Sequence, residues 1–254
     1  MYNQFAKVYD KFMEDTPYGD WEKFILKKLK ENNIIPKIIC DLGSGVGEMC
    51  ERFAKSNIEV IGIDNSYEML MKARERAISK QLDILYLQQD MTEFELYGTV
   101  DLIYSSCDSL NYILEEKDLL RVFSLVNNYL EAGGLFIFDI NTPYKYKEIL
   151  GKQVFAEQTE TEAYIWENFY DEEEAINEFY VSFFIQDKDK KYTKTEEFHY
   201  QRVYTIDEIL RLLERAGLEI IGVYDNYTNE CYNEVTTRAT FVAKEKPTPN
   251  KKYA

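Results

Sequence analysis

The chain has 254 residues, 45% hydrophobic and 30% charged, with 46 Asp and Glu against 30 Lys and Arg and a formal net charge of −16. That length allows one sizeable core, or a core domain carrying an insertion. The acidity disfavours general binding to nucleic acid or to an anionic membrane surface, and no run approaches the ~20 apolar residues of a membrane span. The four cysteines, Cys40, Cys50, Cys107 and Cys231, make no C-x-x-C pair and no ligand cluster with the single histidine, His199, so no metal is expected. Met1-Tyr2-Asn3-Gln4-Phe5 lacks the basic-then-apolar pattern of a signal peptide, and the expected location is the cytoplasm.

Residues 1 to about 35 read as helical with interruptions: Trp21, Phe24, Ile25 and Leu29 recur at helical spacing, and Pro36 stops the run. Lys37 to Leu42 is a first, buried strand, followed by a glycine loop and a short helix through Met49, Phe53 and Ala54. Ile58 to Asp64 is a second strand ending in an acid, and Ser66 is placed to cap the helix through Met69, Leu70, Ala73 and Ala77. Leu82 to Leu87 and Val100 to Ser105 are further strands. Leu119, Leu120, Phe123, Val126 and Leu130 form a helical stripe that Gly133-Gly134 is expected to end, ahead of a fifth strand, Leu135 to Ile140. Alternating strands and helices, with strands apolar on both faces, predict a parallel sheet wrapped by helices.

The pattern changes near Gly151. Residues 153–187 hold ten acids and no Lys or Arg, and alternate aromatic with polar residues, as in Tyr164-Ile165-Trp166-Glu167-Asn168-Phe169-Tyr170. The charged stretches at 171–174 and 187–191 read as hairpin turns, and Thr193 to Tyr204 as another strand of an antiparallel insert. The first pattern then resumes: Thr205 and Glu208 fit a capping box before Ile209, Leu212 and Leu213, Gly217 closes that helix, and Leu218–Tyr224 and Thr236–Ala243 form a last antiparallel pair. The predicted fold is thus α/β, a seven-stranded, mainly parallel Rossmann-like sheet, with residues 1–151 and 205–246 as its domain, beginning in an N-terminal helical segment. Residues 152–204 are the β-rich insert, and 247–254 a flexible tail.

The glycine loop is the sharpest signal. Ile38-Ile39-Cys40-Asp41-Leu42-Gly43-Ser44-Gly45-Val46-Gly47 sets an acid and three alternate glycines between a buried strand and a helix. A dinucleotide fingerprint would need its third glycine where Glu48 stands. Asp-x-Gly-x-Gly-x-Gly instead resembles motif I of the class I S-adenosylmethionine (SAM)-dependent methyltransferases. The resemblance implies that Gly43, Ser44, Gly45 and Gly47 pass under the methionine part of SAM while Asp41 orients it. Asp64, 17 residues past Gly47, ends the second strand, where a carboxylate accepts from both ribose hydroxyls. In the same family an acid and the following backbone N–H after the third strand meet the adenine, which implies Asp90 and Met91; Asn65, Met69 and Cys107 complete the implied cofactor set.

The loop Ser105-Ser106-Cys107-Asp108-Ser109-Leu110-Asn111-Tyr112, the stretch Phe5 to Met13 with Pro17-Tyr18-Gly19-Asp20-Trp21, and His199 to Tyr204 resemble a bacterial branch of small methyltransferases with an inserted antiparallel sheet. In that branch lid aromatics cover SAM, which implies Tyr2, Tyr9 and Tyr18. The loop after the fourth strand is expected to border both the methyl donor and the acceptor, with Asn111 and Tyr112 as the acceptor-binding candidates. His199 is the obvious base near neutral pH, with Tyr112 beside it as the second catalytic candidate. Arg202 is the candidate for gripping an anion. Three residues apart on a strand, His199 and Arg202 point to opposite faces, so at most one faces a given pocket. The expected activity is methyl transfer from SAM to a small-molecule acceptor by in-line displacement, giving S-adenosylhomocysteine (SAH), with catalysis mainly by positioning, by a monomer or homodimer. Three alternatives stay open: a methyltransferase acting on RNA or protein, a non-catalytic SAM or SAH binder, and a dinucleotide oxidoreductase.

Overall fold

The computed structural model describes residues 16–246 and 251. Tyr2, Tyr9 and most of the expected lid and tail lie outside the described residues.

Helix α1 (Tyr18–Glu31) buries Trp21, Phe24, Ile25 and Leu29 on one stripe. It leads to β1 (Ile38–Leu42), α2 (Glu48–Ala54), β2 (Glu59–Asp64), α3 (Tyr67–Ser79), β3 (Leu85–Gln88) and β4 (Val100–Ser105). A 3₁₀ turn (Ser109–Tyr112), α4 (Glu116–Tyr129) and β5 (Leu130–Asn141) follow. After the insert come α5 (Ile206–Arg215), β10 (Leu218–Asp225) and β11 (Arg238–Glu245). These strands form one seven-stranded sheet in the order β10-β11-β5-β4-β1-β2-β3. Only β11 runs against its neighbours, pairing antiparallel with β5 and with β10.

Alternation along β1 divides the core. Ile39 packs with α1, α2 and α3, while Cys40 and Leu42 face the opposite layer with α4 and α5. That second layer is aromatic: Phe138 stacks on Phe241 at 4.9 Å and on Phe136 at 4.6 Å. Each such fully buried ring contributes about 1.5–3 kcal/mol. Ser66 caps α3 through the Met69 N–H, and Thr205 with Glu208 closes the capping box of α5.

One helix end differs from expectation. Helix α4 stops at Tyr129, and Leu130 already pairs with Val100 as the first residue of β5. Gly133 and Gly134 therefore lie in the strand, at a bulge. A methyl on Gly134 would come within 3.0 Å of the carbonyls of Asp101 and Glu131, so tight backbone approach, not helix termination, demands the glycine.

The insert begins after a π-helical turn (Lys145–Leu150) and forms a separate antiparallel sheet, β6 (Val154–Gln158), β7 (Glu162–Asp171), β8 (Ile176–Gln186) and β9 (Tyr192–Arg202), joined in sequence order. Its register sets Trp166, Val181 and Glu197 in one row, and Asn168, Phe179 and His199 in the next. Those side chains make the inner face; Ile165, Phe198 and Tyr200 look outward and are exposed.

Candidate active site

The carboxyl ends of β1, β2, β4 and β5 open towards the inner face of the second sheet, and one cavity of about 820 Å³ lies between them. Its floor is the turn from β1 into α2. Gly43 (φ +80°) and Gly45 (φ +52°) both take left-handed backbone and line the cavity. A methyl on Gly43 would strike the Ser109 hydroxyl at 2.7 Å, whereas one on Gly45 meets nothing within 4 Å. Gly45 is thus the point where the backbone is bare to a ligand. Gly47 (φ +78°) does a different job: it lies off the cavity, and a side chain there would overlap the Tyr86 hydroxyl.

The turn is tied to β2. The N–H groups of Gly43 and Ser44 donate to the Ile63 carbonyl at 2.8 and 2.9 Å. Asp64 accepts from the Gly45 N–H at 2.8 Å on one oxygen and from the Ser66 N–H at 2.8 Å on the other. Burial raises the Asp64 carboxyl above its usual range, against the pull of those N–H groups. Asp41 is buried more fully. Its Oδ2 accepts from the Tyr104 hydroxyl at 2.8 Å and the Cys50 thiol at 3.2 Å, while its buried Oδ1 has no partner among the described residues. Burial pushes the carboxyl up to about 7, the Tyr104 and Cys50 hydrogen bonds opposing the shift. Asp90 spends Oδ1 on its own turn, accepting from the Thr92 N–H at 2.8 Å and hydroxyl at 2.7 Å, and with Met91 it forms the cavity's edge beyond β3. Asn65 and Met69 line the same end, and Tyr18 lies close to Cys107, whose thiol donates to its hydroxyl at 4.0 Å.

The loop after β4 is strained. Cys107 (φ +59°) and Asp108 (φ +51°) are consecutive left-handed residues without glycine. Asp139, near the end of β5, holds them by accepting the N–H of Cys107 at 3.0 Å and of Asp108 at 2.8 Å. Arg238, at the start of β11, pairs with Asp139 and, at 2.7 Å, with Asp108, and the Tyr227 hydroxyl donates to Asp139 at 2.7 Å. Asp108 in turn accepts from the Gln201 amide at 2.7 Å, and Tyr146 donates to Gln201 at 2.9 Å. This chain of bonds fastens the inserted sheet to the parent sheet at the cavity floor. Burial pushes the Cys107 thiol up to about 12, so it is no thiolate nucleophile.

The far wall is the inner face of the second sheet, with Tyr164, Trp166, Phe179, Val181 and Phe183. His199 lines it too. Its ring stacks on Phe179 at 4.7 Å, meets Tyr112 edge-on at 5.8 Å, and lies 3.2 Å from the buried Glu197 carboxylate.

Two of the expected acceptor residues are placed elsewhere. Asn111 is buried off the cavity, its amide donating to the Arg202 carbonyl at 2.8 Å and accepting the Asn141 N–H at 2.9 Å, so both ends are used by backbone. Arg202 turns outward, as the alternation along β9 requires, to the Leu114 carbonyl at 3.0 Å and to Glu208 at 3.5 Å. Sequence reasoning missed Asp139, Lys145, Gln201 and Arg238. Asp139 lies near the carboxyl end of a parallel strand, where the rule for open α/β sheets would have pointed. Arg238 stands 130 positions from Asp108 and carries no local signal.

No helix among the described residues is long and apolar enough to cross a membrane. Residues 39–134 match the family model described as "Methyltransferase domain". A protein of Geobacillus sp. (strain WCH70) named "Putative methyltransferase" is 36% identical over 96% of this chain and 99% of its own. The crystal structure of an S-adenosylmethionine-dependent methyltransferase from Clostridium acetobutylicum is 34% identical, covers 97% of this chain and 99% of its own, and superposes with a TM-score of 0.89. A SAM-bound amino pentose methyltransferase from Micromonospora echinaspora shares the fold at 17% identity, with a TM-score of 0.76 over 94% of this chain and 97% of its own.

Proposed function

The chain belongs to the SAM-dependent methyltransferases, and on that premise we propose that it methylates a small molecule held between the glycine turn and the inserted sheet. One observation carries this reading: a single cavity is lined by the glycine turn at one end and by the aromatic inner face of the insert at the other. Its size suits a cofactor and a small acceptor together.

The residues at the glycine end fit the cofactor. Gly45 is a bare backbone position, and Asp41, which lines the same cavity, keeps a buried carboxylate oxygen with no partner among the described residues. We assign Asp41, Gly43, Ser44 and Gly45 to the methionine part, Asp64 and Asn65 to the ribose, and Met69, Asp90 and Met91 to the adenine. Bound SAM supplies a methyl group already activated on a sulfonium sulfur. The protein's own part is alignment: the Asp139–Arg238 clamp fixes the Cys107–Asp108 loop, and the aromatic wall excludes water and presses the acceptor towards it. Holding the reacting atoms ~3–3.5 Å apart is worth up to ~7–11 kcal/mol of the barrier. His199 is the group that takes the proton when the acceptor arrives protonated, and Tyr112, edge-on to its ring, orients the acceptor by hydrogen bonding.

The test is SAH release from SAM across three acceptor pools: small molecules, total RNA, and peptides. Turnover confined to the small-molecule pool supports the proposal. Turnover confined to RNA or peptide replaces it, and SAM binding without turnover in any pool favours a non-catalytic binder.

A further inference from the structure

Charge is unevenly distributed in the cavity. Asp41, Glu48, Asp64 and Asp90 cluster at the glycine end, complementary to a cationic cofactor. In the other half Arg238 is spent on Asp108 and Asp139, and His199 lies against Glu197. Lys145 is the exception. It opens the π-helical turn, an element frequent at functional sites. It lines the cavity, and among the described residues its ammonium donates to the neutral Asn141 amide oxygen, at 2.8 Å, with no carboxylate within ion-pair distance. Burial, reinforced by the nearby Arg238 and opposed by the more distant pull of Asp108 and Asp139, lowers the pKa of Lys145. An ammonium has three donors, and a partly dehydrated one gains most from a charged acceptor. The turn that carries Lys145 also carries Tyr146 and Leu150, against which Trp166 packs, so this turn abuts the aromatic wall and Lys145 lines the same cavity as that wall.

We propose that the methyl acceptor is an aromatic or apolar molecule bearing an anionic group, a carboxylate or a phosphate, and that Lys145 anchors that group. The proposal rests on the small-molecule reading above. It also replaces Arg202, which faces away, as the anion-binding residue.

The test uses the SAH-loaded protein and matched probes: benzoate, phenylacetate and phenyl phosphate against benzamide and phenylacetamide, titrated by calorimetry. The acids bind about 10- to 100-fold tighter than the amides, the difference expected of a charge-assisted hydrogen bond. Lys145→Met removes the preference, Lys145→Arg keeps it, and SAH affinity is the same in all three proteins. The relative affinity of phenyl phosphate and the carboxylates then says which anion the site is built for. An equal response to acids and amides in the unaltered protein, including none to either, overturns the proposal, as does a preference that survives Lys145→Met. Loss of SAH affinity in Lys145→Met also overturns it, by placing the ammonium on the cofactor's own carboxylate. Failure of the unaltered protein to bind SAH is a separate result, and it defeats the methyltransferase reading itself along with this proposal.

Discussion

Asp41 combines two opposed demands. A buried carboxylate with one unpartnered oxygen is costly to ionise, yet a cationic cofactor needs it ionised. Its pKa is raised to about 7, whereas an unfolded Asp titrates near ~3.9. The folded free protein therefore holds this proton where the unfolded chain does not. The stability it contributes is present below about pH 4 and lost as pH rises through about 7. Cofactor binding has the opposite sign: SAM affinity falls by up to about tenfold per pH unit below about 7. Calorimetry between pH 6 and 8 checks this. In Asp41→Asn binding is weaker and the slope shallower. The glycines separate two roles. Gly45→Ala projects a methyl into the cradle and weakens SAM binding about 10-fold or more, with a stability loss of roughly 1 kcal/mol from strained backbone. Gly47→Ala collides with Tyr86 and lowers stability by about 1–3 kcal/mol, read by urea unfolding, before any effect on binding.

At the scale of elements, the joint between the sheets is the Asp139–Arg238–Asp108 cluster. Asp139→Asn leaves Arg238 short of one buried partner and weakens the hold on two left-handed residues. A loss of about 3–5 kcal/mol is expected, the scale for breaking a buried ion pair, measured by chemical denaturation. What was legible in the sequence follows from range. The glycine turn, Asp64 and Ser66 are local features, and local sequence announces them. The alternation of β9 was legible too, which is why His199 and Arg202 were expected on opposite faces. Which face would be inner depends on how the insert docks, and that is settled by Gln201 reaching Asp108, a contact between residues 93 positions apart. Asn111 looked like an acceptor contact because it sits in a site loop. It is instead a splice between the Arg202 carbonyl and the Asn141 N–H, two partners that local sequence does not reveal. The misplaced end of α4 has a similar cause: Leu130 continues the apolar stripe, but pairing with Val100 claims it for the sheet.

For the whole molecule, a second sheet set over the carboxyl ends of the parallel strands leaves a cavity with an acidic end and an aromatic end. The fold class could be read from the alternation of strand and helix patterns, and the insert from the acid-only aromatic stretch at 153–187. The central claim is that the acidic end is a SAM site and not a dinucleotide site. The most direct measurement is calorimetric titration of the purified protein, stripped of co-purified ligand, with SAM and separately with NADH. The account predicts saturable, single-site SAM binding at micromolar affinity and no NADH binding. Folded protein that fails to bind SAM, or binds NADH in its place, would contradict it.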